Sequence, residues 1–201
     1  MTTPKRQNTE AAFLDAARRV FADKGYLNAK ITDITTAAGR STGSFYNYYD
    51  TKQQLLQALL ERFTVQIVER TREKLTDDWG ANIEAAVRAY IQTFRDFLPE
   101  MIGVFELSMT DESAASWWRE QRAEGIRSVL TVIAAVEKEG VTVDLDHHTF
   151  ASAMVSMLES YCWTWMAAGG ESVEGAQYDE QLAISTLAQI WQRAMLGGPA
   201  H

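Results

Sequence analysis

Apolar residues recur every three to four positions along most of the chain, which is the spacing of one face of an α-helix. The first such segment runs from about Thr9 to Lys24, and Gly25 ends it. A short segment follows at Thr32–Ala38, and a second short one begins at Ser41. The capping-box pattern Thr51-x-x-Gln54 then predicts the start of a longer helix.

The same spacing continues through the rest of the chain. It predicts helices at Ala81–Leu98, Glu100–Met109, Ala114–Glu139, His147–Ala168 and Tyr178–Leu196. The connector Val141–Asp146 could be briefly extended, but no segment keeps a two-residue alternation. We therefore expect an all-α fold of about nine helices, with a domain of three N-terminal helices followed by a helical bundle.

The segment Ile31–Tyr48 has the form of a helix-turn-helix, two short helices that cross steeply and are joined by a tight turn. Gly39 supplies the residue tolerant of positive φ that the turn needs, and Ser41 is a natural N-cap for the second helix. The positions expected to share a small core are Ile34, Ala38, Phe45 and Tyr48.

The second helix of this motif would expose small polar and aromatic side chains, namely Thr42, Ser44, Tyr46 and Asn47. Side chains of this kind fit a major groove and contact phosphates or base edges. Lys52 falls on the first turn of the next helix, where its charge and the helix N-terminus could both meet a phosphate. Tyr46 and Tyr49 could instead pack the small domain.

The net charge of −8 argues at first against a nucleic-acid partner. Residues 1–52, however, hold 8 Lys and Arg against 5 Asp and Glu, a balance of +3. Residues 53–201 hold 11 against 22, a balance of −11. A positively charged N-terminal segment on an otherwise acidic chain is expected where that segment binds a polyanion. So small a surplus of positive charge could equally belong to an ordinary solvated surface.

The single cysteine, Cys162, cannot form an internal disulfide, which suits a reducing compartment. The segment Met1–Asn8 is polar, unlike a signal peptide, and no run approaches the roughly 18 apolar residues of a membrane span. We expect a cytoplasmic protein with no membrane partner.

Catalytic and metal-binding patterns are missing from the sequence. Cys162 has no CxxC partner, the adjacent His147 and His148 point to different sides of a helix, and His201 is the last residue. There is no Gly-rich phosphate loop, nucleophile elbow or HExxH motif. We expect a protein that is not an enzyme and that holds no cofactor or metal.

The stretch Ile31–Lys52 resembles the signature of the TetR-type (TetR/AcrR) transcriptional regulators, and Ala16–Tyr26 resembles the first helix of that family. Beyond about the first 60 residues only the helical architecture is shared. Two positions depart from the usual pattern. Thr35 stands where a small Ala is typical and could loosen the helix crossing, and Arg40 replaces an apolar turn residue and adds a cation beside the DNA face.

The resemblance implies a repressor that binds a palindromic operator as a homodimer. It implies a DNA-binding domain at residues 1–52 and an effector-binding and dimerisation domain at residues 53–201. Helix-turn-helix units must sit about 34–36 Å apart to read adjacent major grooves, which also favours a dimer. The expected DNA-binding residues are Thr32, Arg40, Ser41, Thr42, Ser44, Tyr46, Asn47, Tyr48 and Lys52.

The family's dimer interface lies on the last two helices, and its effector pocket lies inside the body. Candidate interface residues, which could also form a larger monomeric core, are Phe150, Met154, Leu158, Leu187, Ile190 and Trp191. Candidate pocket residues, any of which could be plain core, are Phe97, Met101, Phe105, Trp117, Trp118, Glu159, Tyr161 and Trp165. Glu106, Glu159 or Arg122 could orient a small, mainly hydrophobic or aromatic effector.

Such an effector would weaken DNA binding if it bound only the conformation of the dimer whose two helix-turn-helix units do not match the spacing of the DNA half-sites. The helix that begins near Thr51 connects the recognition unit to the body and would carry the change. The alternative is a helical dimeric adaptor that lacks sequence-specific DNA binding, and a salt titration separates the two functions.

Overall fold

A computed structural model of the chain describes residues 4–197, with side chains from residue 6 onward. His201 and the start of the polar N-terminal segment lie outside the described residues. Within residues 4–197 there are nine α-helices, one π-helical turn and no strand, as the all-α prediction requires, and no helix is long and apolar enough to cross a membrane. The helices are α1 (Pro4–Lys24), α2 (Ile31–Ala37), α3 (Thr42–Phe45), α4 (Lys52–Arg72), α5 (Trp79–Asp96), α6 (Leu98–Ser108), α7 (Glu112–Lys138), α8 (His147–Cys162) and α9 (Glu180–Leu196).

The chain divides into two compact units. The first comprises the residues up to Phe63 together with Phe97–Trp118, so it includes α6 as well as the three N-terminal helices. The second comprises Thr64–Asp96 and the residues from Arg119 onward. The functional division expected between residues 52 and 53 stays a prediction.

The first unit has a small aromatic core. Phe13 of α1, Ile34 of α2 and Phe45 of α3 are fully buried, and the rings of Phe13 and Phe45 meet edge to face at 5.6 Å. Burial of each such side chain stabilises the unit by about 1.5–3 kcal/mol. Ala38 and Tyr48, the other two expected core positions, are half-buried.

The turns of the first unit follow their sequence signals closely. Gly39 has a φ of 62°, so the turn between α2 and α3 uses the left-handed conformation that glycine adopts readily. The Ser41 hydroxyl accepts a hydrogen bond from the backbone N–H of Ser44 at 3.1 Å and caps α3 as predicted. At the start of α4, Thr51 accepts from the N–H of Gln54 at 3.1 Å. The amide oxygen of Gln54 accepts from the backbone N–H of Asp50, one residue before the position expected for a capping box.

Helix α6 packs against α1 within the first unit. The Nε of Arg18 donates to Oε1 of Glu100 at 2.9 Å, although the Glu100 side chain is only 1% exposed. The guanidinium of Arg18 also lies 4.6 Å from the ring centre of Phe97. Gly103 allows the closest approach, because a Cβ placed there would lie 2.7 Å from the Cβ of Tyr26.

The second unit is a helical bundle in which α5 packs against both α8 and α9. Ile91, Phe94 and Ile184 are fully buried in it. The connector before α8 forms no strand, and its last residue, Asp146, caps α8 by accepting from the N–H of Thr149 at 2.8 Å. Helix α9 begins at Glu180, two residues later than expected, because Asp179 caps it by accepting from Leu182.

The helix predicted to run to Ala168 changes form near its end. Helix α8 stops at Cys162, and the π-helical turn Trp163–Ala167 continues it. Gly169 and Gly170 then take positive φ values of 86° and 89° and end the helical run.

Candidate DNA-binding surface

The recognition surface consists of the α3 region side chains Thr42, Ser44, Tyr46 and Asn47. Tyr46 and Asn47 are exposed, and Thr42 and Ser44 are half-buried. Phe45 anchors this segment from below, since its ring is fully buried and packs at right angles to the ring of Tyr46 at 5.6 Å. The segment is therefore a rigid support for the polar side chains that it carries.

Tyr46 and Tyr49, each of which could have been a core residue or a DNA contact, differ clearly in exposure. Tyr46 is 53% exposed, whereas Tyr49 is buried and packs against Phe45 at 5.7 Å. Burial raises the pKa of Tyr49 far above its ordinary value, so the phenol stays neutral. Tyr49 is therefore a packing residue, and Tyr46 stays available for a ligand.

Tyr48 lies between the core and the N-terminal end of α1. Its ring meets the ring of Phe13 edge to face at 5.7 Å, and the guanidinium carbon of Arg6 lies 5.4 Å from the Tyr48 ring centre. Sequence reasoning missed Arg6, whose only signal was a positive charge just ahead of the first apolar stripe. The contact places an exposed cation next to the recognition surface.

Thr32, Arg40 and Ser41 are all exposed, as phosphate-contacting residues must be. Arg40 donates from Nη1 to the carbonyl of Gly39 at 3.2 Å, and this bond uses one of its five donors. Ser41 also caps α3, so its hydroxyl oxygen is already an acceptor within the chain.

Thr35, the first departure from the family pattern, is buried at the crossing of α2 and α3. Its hydroxyl lies 3.2 Å from the carbonyl oxygen of Thr32 and 3.5 Å from the hydroxyl oxygen of Thr42. The extra hydroxyl therefore lies among polar partners that link the two helices. The sequence suggested that Thr35 loosens this crossing, but it did not indicate such partners.

Lys52 lies on α4 with its ammonium group turned toward the loop between α1 and α2. Nζ donates to the carbonyl oxygens of Tyr26 at 2.6 Å, Ala29 at 2.7 Å and Leu27 at 3.3 Å. The ammonium also lies 4.3 Å from the ring centre of Tyr26. Burial lowers the pKa of Lys52. An ammonium has three donors, so the predicted phosphate contact would compete with bonds that Lys52 makes within its own chain.

An ion pair between Lys24 and Asp33 joins α1 to α2. Lys24 lies 2.9 Å from the carboxylate of Asp33, which also accepts from the backbone N–H of Lys30 at 3.0 Å. These hydrogen bonds lower the pKa of Asp33. In addition, Arg19 donates to the carbonyl of Ala37 at 3.2 Å. Much of the positive charge near α2 therefore holds the helices together as well as facing solvent.

The candidate effector residues belong to both units. Phe97 and Met101 are buried in the first unit, where Phe105 and Trp118 also meet edge to face at 5.3 Å. Trp117, in the same unit, is half-buried. The remaining candidates, all in the second unit and all half-buried, are Glu159, Tyr161 and Trp165.

The polar residues that could orient a ligand are already paired in part. Arg122 donates from Nε to both carboxylate oxygens of Glu159, at 2.9 and 2.7 Å, and from Nη2 to the hydroxyl of Ser156 at 2.9 Å. Burial raises the pKa of Glu159, and burial next to this carboxylate raises the pKa of Tyr90. The second unit therefore contains a part-buried polar cluster in which Arg122 binds both Glu159 and Ser156.

The aromatic residues near the π-helical turn pack on one another. The ring of Trp165 lies 6.2 Å from that of Tyr161 and 6.1 Å from that of Tyr178. Gly170 lies against the indole, because a Cβ there would be 3.3 Å from two of its carbon atoms. Tyr178 was not singled out in the sequence, since it precedes α9 and belongs to no apolar stripe.

Most of the candidate dimer residues are buried within the single chain. Ile190 is the exception, with 45% of its surface exposed, and Leu182 on the same helix is 64% exposed. The buried candidates are Phe150, Met154, Leu158, Leu187 and Trp191. Leu182 and Ile190 are therefore the large apolar residues of α9 that are exposed and could contact another molecule.

Within residues 4–197 no group of three His, Cys, Asp or Glu side chains is arranged to hold a metal ion. Two short helices joined by a positive-φ turn, the second of which exposes polar side chains, are typical of the helix-turn-helix class of DNA-binding proteins.

Comparisons with known proteins agree with this class. A family model described as bacterial regulatory proteins, tetR family, matches residues 13–59. The transcriptional regulator CymR of Pseudomonas putida is 36% identical over 80 residues, which are 36% of this chain and 39% of CymR. The chain thus spans about two fifths of the length of that relative. The regulator EthR of Mycobacterium tuberculosis is 24% identical over 199 residues, which are 96% of this chain and 90% of EthR.

Solved structures share the fold. A protein of Syntrophomonas wolfei assigned to the TetR family superposes with a TM-score of 0.80 at 18% identity, over 96% of this chain and 97% of that one. The family model over the helix-turn-helix, the curated relatives and the shared fold together support a TetR-type transcriptional regulator with a helix-turn-helix DNA-binding motif.

Proposed function

We propose that the chain is a ligand-responsive repressor that binds a palindromic operator as a homodimer and is released by a small, mainly hydrophobic or aromatic effector. The observation that carries the proposal is the recognition surface, where exposed Tyr46 and Asn47 stand on a segment anchored by buried Phe45. Exposed side chains of this size at the second helix of a helix-turn-helix reach base edges in a major groove.

Cations surround this surface and would contact phosphates. Arg6, Arg40 and Lys30 are exposed, and none of the three is in a salt bridge identified among the described residues. The DNA-contacting set that we propose is Thr32, Arg40, Ser41, Thr42, Ser44, Tyr46, Asn47 and Tyr48, with Arg6 and Lys30 added. Lys52 belongs to it only if its bonds to the α1–α2 loop break on binding.

Dimerisation is proposed to use the outer surface of α9. Leu182 and Ile190 are exposed and lie eight residues apart, which places them on the same helical face. A change of both residues to Glu should give a monomer in sedimentation and abolish operator binding. A dimer that persists in this double variant would refute the use of this surface.

The effector is proposed to bind in the body, where aromatic side chains and the Arg122–Glu159 pair offer apolar contact and hydrogen bonds. An effector that binds one conformation selectively changes operator affinity by its coupling free energy. A coupling of about 3 kcal/mol would weaken operator binding roughly 150-fold. The cytoplasm is the compartment where such a regulator would meet DNA.

The proposal is tested by footprinting the full chain on duplex DNA that flanks its own gene, followed by a salt titration. We expect two protected half-sites and a linear fall of log affinity with log salt. Arg40→Ala should reduce the slope by about 0.9, the loss of one phosphate contact. Arg127→Ala removes the same charge from α7, where Arg127 pairs with Glu124, and should leave the slope unchanged. The absence of both protection and salt dependence would favour the adaptor function instead.

A further inference from the structure

The polar contact between Thr35 and Thr42 supports an inference about base recognition. This inference rests on the proposed DNA binding and extends it. We infer that Thr35 fixes the direction of the Thr42 hydroxyl, so that Thr42 meets DNA as a hydrogen-bond acceptor. Every base pair carries one amino group in the major groove, on its adenine or its cytosine. Thr42 would therefore select an adenine or a cytosine on the strand that it contacts. Thr35 is thereby a positioning residue for base recognition.

The direction follows from counting protons. A threonine hydroxyl has one proton, and a carbonyl oxygen can only accept. The Thr35 hydroxyl lies 3.2 Å from the carbonyl oxygen of Thr32 and 3.5 Å from the hydroxyl of Thr42. The nearer contact takes the Thr35 proton, because only Thr35 can donate in it. By distance alone either oxygen could donate in the contact between the two hydroxyls, and with the Thr35 proton engaged by Thr32 we assign the donor as Thr42.

Burial makes this arrangement persistent. Thr35 is 3% exposed, so water does not compete effectively for its hydroxyl. A buried hydroxyl without a partner is costly, which keeps the Thr35 proton on the Thr32 carbonyl. Thr42 is half-buried, so its side chain also remains accessible from the recognition surface.

The consequence concerns which groups Thr42 can contact. With its proton directed to Thr35, its oxygen presents only lone pairs to a ligand. A phosphate oxygen, guanine O6 and N7, and thymine O4 are all acceptors and offer nothing to such an oxygen. The amino groups of adenine N6 and cytosine N4 are the major-groove donors that match it.

The experiment selects bound sequences from a random duplex DNA pool with the full chain and with Thr35→Val. Valine keeps the shape of threonine and removes the hydroxyl, so the Thr42 proton becomes free to point outward. We expect the wild type to prefer adenine or cytosine at one position of each half-site. In Thr35→Val this preference should fall roughly fivefold, the effect of one neutral hydrogen bond. Thr35→Ser retains the hydroxyl and should retain the preference.

A double-variant comparison separates positioning from a structural effect. Thr42→Val should lose the same preference, and Thr35→Val should change nothing further in the Thr42→Val background. An equal effect of Thr35→Val in both backgrounds would overturn the inference, as would an unchanged preference in folded Thr35→Val. Thr35→Ala, whose smaller side chain cannot crowd the crossing, replaces Thr35→Val if that variant fails to fold.

The outcomes also separate this inference from the proposed function. Selection of no sequence by the wild type would refute sequence-specific DNA binding itself. Selection of an operator by the wild type, with thymine or guanine at the Thr42 position, would leave that function intact and refute the acceptor role of Thr42.

Discussion

The ammonium nitrogen of Lys52 lies 2.6 Å from the carbonyl oxygen of Tyr26, a residue 26 positions earlier in the chain. This bond fastens the start of α4 to the loop that separates α1 from α2. The same Tyr26 contacts Gly103 of α6 on its other side. One aromatic residue thus contacts two helices that are far apart in sequence.

Lys52→Met should destabilise the first unit, because the carbonyl groups of Tyr26, Leu27 and Ala29 lose their shared donor. We expect the free energy of unfolding to fall by about 1–3 kcal/mol, measured by urea denaturation. The slope of operator affinity against salt should stay as in the wild type, since the ammonium is occupied within the chain. A slope reduced by about 0.9 with unchanged stability would instead establish the phosphate contact expected from the sequence.

Gly103→Ala should lower the free energy of unfolding by about 1–3 kcal/mol, because the new methyl group would lie within 2.7 Å of the Tyr26 Cβ. Gly125→Ala is the matched control in α7. Its methyl group would lie 3.7 Å from the nearest atom of Val155, an ordinary contact, and alanine favours the helix by about 0.5–1 kcal/mol. Destabilisation by both changes, or by neither, would contradict the close approach of α6 to Tyr26.

Glu100→Gln should change how stability depends on pH. Burial raises the pKa of Glu100 above 4.5, and the bond from Arg18 offsets this only in part. The folded state therefore binds the proton more tightly than the unfolded state. The stability that this proton contributes is complete below the ordinary pKa and is lost as the pH rises through the folded one. The free energy of unfolding of Glu100→Gln, relative to the wild type, should accordingly rise as the pH passes from the ordinary pKa of a glutamate to the raised one, and should level off above it.

Glu124→Gln provides a control of opposite sign. The bond from Arg127 lowers the pKa of exposed Glu124, so the stability that its charge contributes is present above the ordinary pKa and lost at lower pH. Urea denaturation at a series of pH values measures both variants. Parallel curves for Glu100→Gln and the wild type would refute the raised pKa.

Cys162 should resist thiol reagents in the folded protein. Burial raises the pKa of its thiol to about 12, and the side chain is fully buried, so the reactive thiolate is scarce and inaccessible. Labelling with an aromatic disulfide reagent at pH 8 should be slow in buffer and fast in denaturing urea. Rapid labelling of the native protein would mean that α8 is open around Cys162.

The sequence predicted the elements that depend on local signals. The Gly39 turn and the Ser41 cap are local, so both lie where the sequence placed them. The polar contacts of Lys52 and Thr35 join residues from separate elements. Their charge and size were visible in the sequence, but their partners were set by the packing of α1 against α2 and of α2 against α3.

The contacts of α7, α8 and α9 were less predictable for the same reason. Helical spacing identified apolar residues on α8 and α9, but it could not say which apolar face packs within the chain. Phe150 and Trp191 proved to be buried, whereas Ile190 is exposed. Arg122 and Glu159 were each identified as unusual polar positions, but their mutual bonds depend on how α7 lies against α8.

The π-helical turn after Cys162 changes the direction in which the residues that follow it face. Because a π turn contains about one residue more than an α turn, the residues after it are rotated by about 100° relative to a regular continuation. Trp165 lies within this turn, and its ring packs against those of Tyr161 and Tyr178. A single-residue deletion within 163–167 would return this end of the helix to the α period and rotate Gly169 and Gly170 relative to α8.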